Sequence, residues 1–153
     1  MSAEAHPFDR LRFAGLWKTE VYFELFGCEA RLSVRTDDPE PAPWQRAAFD
    51  AFMQHQAVLK PKVYAALLQY YQSIVDEYRE MFSADSLHLV PLISSVEELS
   101  RVITPEAVYI KDLNPEDPEV GLLFDCTWDN GHGVGVRLRG DAVLEVGSQD
   151  ICL

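Results

Sequence analysis

Hydrophobic positions along this chain change period several times, and each change marks an element. In LWKTEVYFELF, residues 16–26, Val21, Phe23 and Leu25 share one face by period two. Ala30, Leu32 and Val34 do the same in CEARLSVR, residues 28–35. Gly27 lies between the two runs and predicts a tight antiparallel hairpin. TDDPEPAP, residues 36–43, carries three prolines and ends the sheet segment. The period then becomes helical. Trp44, Ala48, Ala51, Phe52 and His55 define a first amphipathic helix. Pro61 is placed to open a second, where its missing N–H costs nothing. Val63, Tyr64, Leu67, Tyr71, Ile74, Tyr78 and Phe82 carry that helix over about residues 60–82.

Beyond Phe82 the pattern is irregular. LHLVPLI holds a short extended piece, and SSVEELSRV a short helix with a capping box from Ser94 with Glu97 or Ser95 with Glu98. AVYIKDL reads as a strand and NPEDPE as an acidic turn. VGLLFDCTW, GVGVRLR and AVLEVGS read as three more strands. Strands and helices are segregated rather than alternating. The expected fold is therefore α+β, a mainly antiparallel sheet with two principal helices packed on one face.

FDCTWDNGHGVGVRL, residues 124–138, gathers Asp125, Cys126, Asp129 and His132 and invites a catalytic or metal reading. Strand register offers a simpler one. A three-residue loop, Asn130, Gly131 and His132, sets Asp129 against Gly133 and pairs Trp128 with Val134, Cys126 with Val136 and Phe124 with Leu138. Asp125 then opposes Arg137, an opposite-charge pair. A two-residue loop would mix core and solvent positions. Cys126 and Trp128 become buried apolar positions, Gly133 supplies a bulge or positive φ, and Asp129 with His132 forms a clasp at the hairpin tip. Two ligands are too few for a typical zinc site, so no metal and no cofactor are expected. Tyr64, Tyr70, Tyr71 and Tyr78 could line a pocket, but core packing with hydroxyls at the surface is the preferred reading. GHGVG has no following helix to make a phosphate loop, and GxSxG, HExxH and CxxC are absent.

Composition narrows the function class. The chain has 153 residues, enough for one domain over 1–153 with a real core. Its net charge of −12 argues against nucleic acid, which calls for a basic face, and against anionic membrane surfaces. It favours a basic protein partner, although solubility alone also explains acidity. The three cysteines are widely spaced, as suits reduced thiols. The first ten residues show no signal pattern, and no apolar run approaches the ~20 residues of a membrane span. A cytoplasmic protein is expected.

Two stretches, residues 44–71 and 120–153, together resemble a widespread bacterial family of small cytosolic proteins of unknown function. The likeness rests on Gln45, Tyr70 and Tyr71, then on Cys126, Trp128, Asp129, His132, Gly133, Gly135 and Val136, and finally on Gly147 and Asp150. The family often has an acidic residue before the histidine, where this chain has Gly131, which weakens a metal reading. The resemblance implies no reaction. Relatives of this kind often look like immunity proteins encoded beside toxins, so the leading expectation is a protein that neutralises a toxin by occlusion. Its candidate contacts are the acidic loop residues Asp37, Asp38, Glu40, Glu97, Glu98, Glu116, Asp117 and Glu119. The alternatives are a regulatory or housekeeping interaction module and, more remotely, a metal-dependent enzyme using Asp129, His132 and Asp150.

Overall fold

A computed structural model describes residues 5–153. Seven strands form one sheet in strict sequence order. They are β1 (Arg12–Ala14), β2 (Leu16–Phe23), β3 (Cys28–Val34), β4 (Ile103–Ile110), β5 (Val120–Cys126), β6 (Val134–Arg139) and β7 (Ala142–Gly147). Neighbours are antiparallel except β3 and β4, which run parallel. That exception follows from connectivity. The helix lies between these two strands in sequence, and a parallel pair needs such a crossover. The sheet is thus mainly antiparallel, in an α+β fold.

The helical segment corrects the sequence expectation of two principal helices. A single helix, α1 (Pro43–Met81), runs 39 residues with Pro61 inside it. Its buried positions are Gln45, Ala48, Phe49, Phe52, Gln56, Leu59, Val63, Leu67, Tyr71 and Val75. They recur every three or four residues without a break at Pro61, so one apolar stripe holds both halves to the sheet. Proline removes the hydrogen bond to the carbonyl four residues earlier. Here that residue is Ala57, on the exposed side of the helix, where water can serve instead. The stripe is also rotated from the one expected. Trp44 and His55 are only half-buried, whereas Gln45 and Gln56 are buried.

Both buried glutamines satisfy backbone groups. The Gln45 side chain accepts from Ala42 N–H at 2.9 Å and donates to the Arg35 carbonyl at 2.8 Å. It caps α1 and ties its start to the end of β3. Gln56 accepts from Leu25 N–H at 3.0 Å, and Tyr64 donates to the Leu25 carbonyl at 3.0 Å. These bonds fix the β2–β3 turn, where Gly27 adopts φ +70°. Of the four tyrosines expected as core, Tyr71 is buried, whereas Tyr64, Tyr70 and Tyr78 are half-buried and pack against the core's edge, and the hydroxyls of Tyr64 and Tyr71 bind backbone carbonyls instead of reaching the surface. Tyr71 meets Trp128 in a tilted contact with ring centres 5.1 Å apart, and donates to the Pro91 carbonyl at 2.6 Å.

The sheet's two faces are unequal. α1 covers one, together with Val21, Phe23, Leu32, Leu122, Phe124 and Val136 of the main core. The other carries a small cluster of Ala107, Tyr109, Leu123 and Cys152. Cys152 belongs to a short 3-10 turn, Gln149–Cys152, which folds back over that face. SSVEELSRV, residues 94–102, expected as a short helix, holds a 3-10 helix over Val96–Arg101, and Glu98 accepts from the Ser95 hydroxyl at 3.0 Å. No helix among the described residues is long and apolar enough to cross a membrane.

Candidate functional site

The C-terminal hairpin keeps its predicted faces but not its predicted partners. Phe124 pairs with Val134, Leu122 with Val136 and Val120 with Leu138, a register four residues away from the expected one. A shift of four preserves side-chain parity. Cys126, Trp128, Val134 and Val136 accordingly all sit in the main core. The expected Asp125–Arg137 pair is not formed. Arg137 lies opposite Gly121, and its guanidinium holds Glu119 at 2.7 Å and Glu145 at 2.7 Å. Asp125 lies opposite Thr104 on the other neighbour, β4.

The loop is longer than three residues because β5 stays with β4 after it leaves β6. Cys126 pairs with Ile103, Thr127 N–H donates to the Val102 carbonyl at 2.9 Å, and the Thr127 hydroxyl donates to the Leu89 carbonyl. Asp129 organises the remaining turn. Its carboxylate accepts from His132 N–H at 3.3 Å and meets the ring Nδ1 at 3.0 Å. Its carbonyl accepts from Gly133 N–H at 2.9 Å and from the Cys126 thiol at 3.3 Å. The Cys126 thiol is pushed up to about 11, mainly by burial, which makes it a poor nucleophile at neutral pH.

His132 is exposed, and the hydrogen bond and charge of Asp129 raise its pKa above the ordinary value. A raised folded-state pKa favours the protonated native form. The contact therefore contributes stability below the unfolded pKa of about 6.5, and loses it as pH rises through the folded one. Asp129→Asn is expected to move the His132 titration, followed by NMR, to lower pH. An unchanged titration would show that the clasp is not formed in solution.

The glycines of this hairpin make room for the C-terminal turn. Gly133 adopts φ +61°, and a Cβ there would meet the Gln149 side chain and lie 2.7 Å from the Phe124 carbonyl oxygen. A Cβ on Gly121 would lie 2.7 Å from that of Cys152, and one on Gly135 3.0 Å from its sulfur. Gln149 is the anchor. Its N–H donates to the His132 carbonyl at 3.1 Å, and its side-chain amide donates to Phe124 at 2.8 Å and to Glu106 at 2.6 Å. The residues that looked chemical thus hold a hairpin, and the hairpin holds the chain's end. The sequence signal was available in Gly121 and Gly135 on two neighbouring strands and in Gly133 just before the second, but not the identity of what would fill the space.

Beside Gln149 lies a polar group that the sequence did not reveal. Glu106 is the extra residue of a β4 bulge between Pro105 and Ala107. Arg31 reaches it at 3.5 Å and also donates to the Ser33 hydroxyl at 2.9 Å. The Asp125 carboxyl is held above the usual carboxylate range by partial burial and by Glu106.

The eight acidic contact candidates separate into distinct groups. Glu119 is corrected: it is buried, not solvent-facing, and its carboxylate accepts from Arg137 at 2.7 and 3.0 Å and from Arg139 at 3.3 Å. Hydrogen bonding from Arg137, above all, lowers its pKa. Asp117 pairs with Arg139 at 3.1 Å, and Glu98 is drawn back onto Ser94, Ser95 and Arg101. Asp37, Asp38, Glu40, Glu97 and Glu116 are exposed and form no ion pair among the described residues. No group of three histidine, cysteine or acidic side chains among the described residues could hold a metal ion.

Two grooves meet at Trp17. One, of about 640 Å³, is lined by Phe13, Trp17, Val34, Arg35, Asp37 and Asp38, among others. The second, of about 450 Å³, includes Phe8, Leu11, Trp17, Glu40, Pro41 and Arg46. Phe13 and Trp17 oppose each other across β1 and β2, with ring centres 5.7 Å apart.

Comparison with known proteins places residues 7–153 within a family described as a domain of unknown function (DUF6985), and the chain belongs to that family. No curated protein and no solved structure matches it.

Proposed function

We propose that this chain is a binding protein of the immunity type, which neutralises a basic toxin by covering its working surface. The observation that carries the reading is the division of labour among its polar residues. Asp129, His132, Gln149, Glu119 and Arg137 are occupied in holding the fold. The exposed carboxylates at 37, 38, 40, 97 and 116 are not, and the chain's net charge is −12. An acidic surface of this kind attracts a basic rim and speeds encounter with it. The hairpin residues Cys126, Trp128, Asp129, His132 and Gly133 resemble a bacterial family of small proteins of unknown function, and that relatives of this kind often look like immunity proteins supports the same reading. The partner would be encoded nearby, and inhibition would take place in the cytoplasm.

The charge should act mainly on association. As salt rises from 0.1 to 1 M the Debye length falls from ~10 to ~3 Å, so the on-rate should fall steeply while the off-rate changes less. Stopped-flow binding to the product of the adjacent gene at two salt concentrations measures both. Absence of binding, with no rescue of toxicity on co-expression, would sink the immunity reading. A salt-independent on-rate would keep the partner but remove the electrostatic mechanism, leaving the acidity as a solubility feature.

A further inference from the structure

We propose that the binding face is the double groove around Trp17, and that its occupant is an arginine- or lysine-bearing segment of a partner protein. The inference rests on the binding reading above and names its site. Residues 37–40 set three unpaired carboxylates on a concavity lined by Phe8, Phe13 and Trp17. The Glu97 region borders a groove of about 490 Å³ that also holds Tyr64, but there a single carboxylate is set against Lys60. Asp117 and Glu119 are spent on Arg139 and Arg137.

The charge balance of the double groove is acidic. Asp9, Asp37, Asp38 and Glu40 line it, against Arg35 and Arg46. Arg46 is already bound to Asp9 at 3.0 Å, which leaves three carboxylates facing one arginine. The carboxylate loop is itself held in shape. Asp37 N–H donates to Asp112 at 3.3 Å, and Asp38 N–H donates to the Thr36 hydroxyl at 3.1 Å. The acids are therefore presented rather than trailing.

The aromatic side supplies the second half of the recognition. Phe13 is 66% exposed, a high value for so large an apolar side chain, and Trp17 is half-buried beside it. A guanidinium or ammonium lying over an indole face gains a cation–π contact while its charge meets carboxylates within reach. Arginine suits this better than lysine, because its planar head stacks and still offers donors to an acid. A second copy of this chain is a poor occupant, since two bodies of charge −12 repel each other.

The test uses the full chain, labelled with ¹⁵N, titrated with capped hexa-arginine, hexa-lysine and hexa-glutamate peptides. Hexa-arginine is expected to shift Phe13, the Trp17 indole N–H and residues 37–40, and to bind more tightly than hexa-lysine. Asp37→Asn/Asp38→Asn/Glu40→Gln should weaken hexa-arginine at least fivefold, while Glu97→Gln/Glu98→Gln changes it less than twofold. Trp17→Leu should erase most of the preference for arginine over lysine. The spectra report at once whether each variant remains folded. Shifts centred elsewhere, equal weakening by both acidic variants, or no binding would overturn the proposal. So would concentration-dependent dimerisation that protects the same residues. Peptide binding in the groove without any toxin partner would retain this site and discard immunity. A toxin that binds through another face would do the reverse.

Discussion

Replacing Trp128 with alanine is expected to lower the free energy of unfolding by about 3–5 kcal/mol, the usual cost of truncating a large buried aromatic. Trp128 follows β5 and is buried against Tyr71 of α1, with ring centres 5.1 Å apart. It joins the sheet, the helix and the loop that Asp129 organises, so the space it leaves is bordered by three elements. Tyr71 has little freedom to fill that space, because its hydroxyl is held by the Pro91 carbonyl at 2.6 Å. Urea denaturation at pH 7 measures the loss. A change below about 1 kcal/mol would mean that the site collapses freely, and would contradict the packing described. Trp128→Phe, which keeps a ring against Tyr71, should recover a large part of the stability.

Trp128 also marks what can be read from the sequence alone. Alternation along residues 120–138 places Phe124, Cys126, Trp128, Val134 and Val136 on one buried face, and the structure agrees. Alternation reports parity only. It cannot distinguish registers that differ by an even number, so the four-residue shift that gives Arg137 to Glu119 instead of Asp125 left no trace in the pattern. The helix shows a different failure. Pro61 fits the first turn of a helix and the exposed side of a long one equally well in local terms. The unbroken stripe decides between them, but two of its members, Gln45 and Gln56, are polar and so do not register in a hydrophobic pattern. Their side chains are buried because they serve backbone groups of Ala42, Arg35 and Leu25, contacts made across the fold. The three-residue strand β1 and the C-terminal turn were likewise invisible, being too short for any period to show.

The second large effect is expected at Gly133, where alanine should cost about 2–5 kcal/mol. The left-handed backbone contributes about 1–2 kcal/mol of that. Forcing a methyl group against packed neighbours contributes about 1–3 kcal/mol. Gln149 can swing aside, but the Phe124 carbonyl, 2.7 Å from the new Cβ, belongs to a ladder between β5 and β6 and cannot. The consequence should be local before it is global. Gln149 carries the C-terminal turn, and Cys152 in that turn is buried with its thiol pushed up to about 12. In the parent chain it should react slowly with a maleimide at pH 7. In Gly133→Ala the turn should lift and Cys152 should label faster, with the modified residue assigned by peptide mass. Gly140→Ala is the matched comparison. Gly140 has φ +58° but open space where a Cβ would go, so it shares the backbone strain and not the clash. If the two variants label Cys152 at the same rate, strain alone accounts for the loss and Gly133 does not seat the turn. Faster labelling in Gly133→Ala at concentrations of urea that unfold neither protein would establish the opposite: this glycine is where the hairpin makes room for the end of the chain.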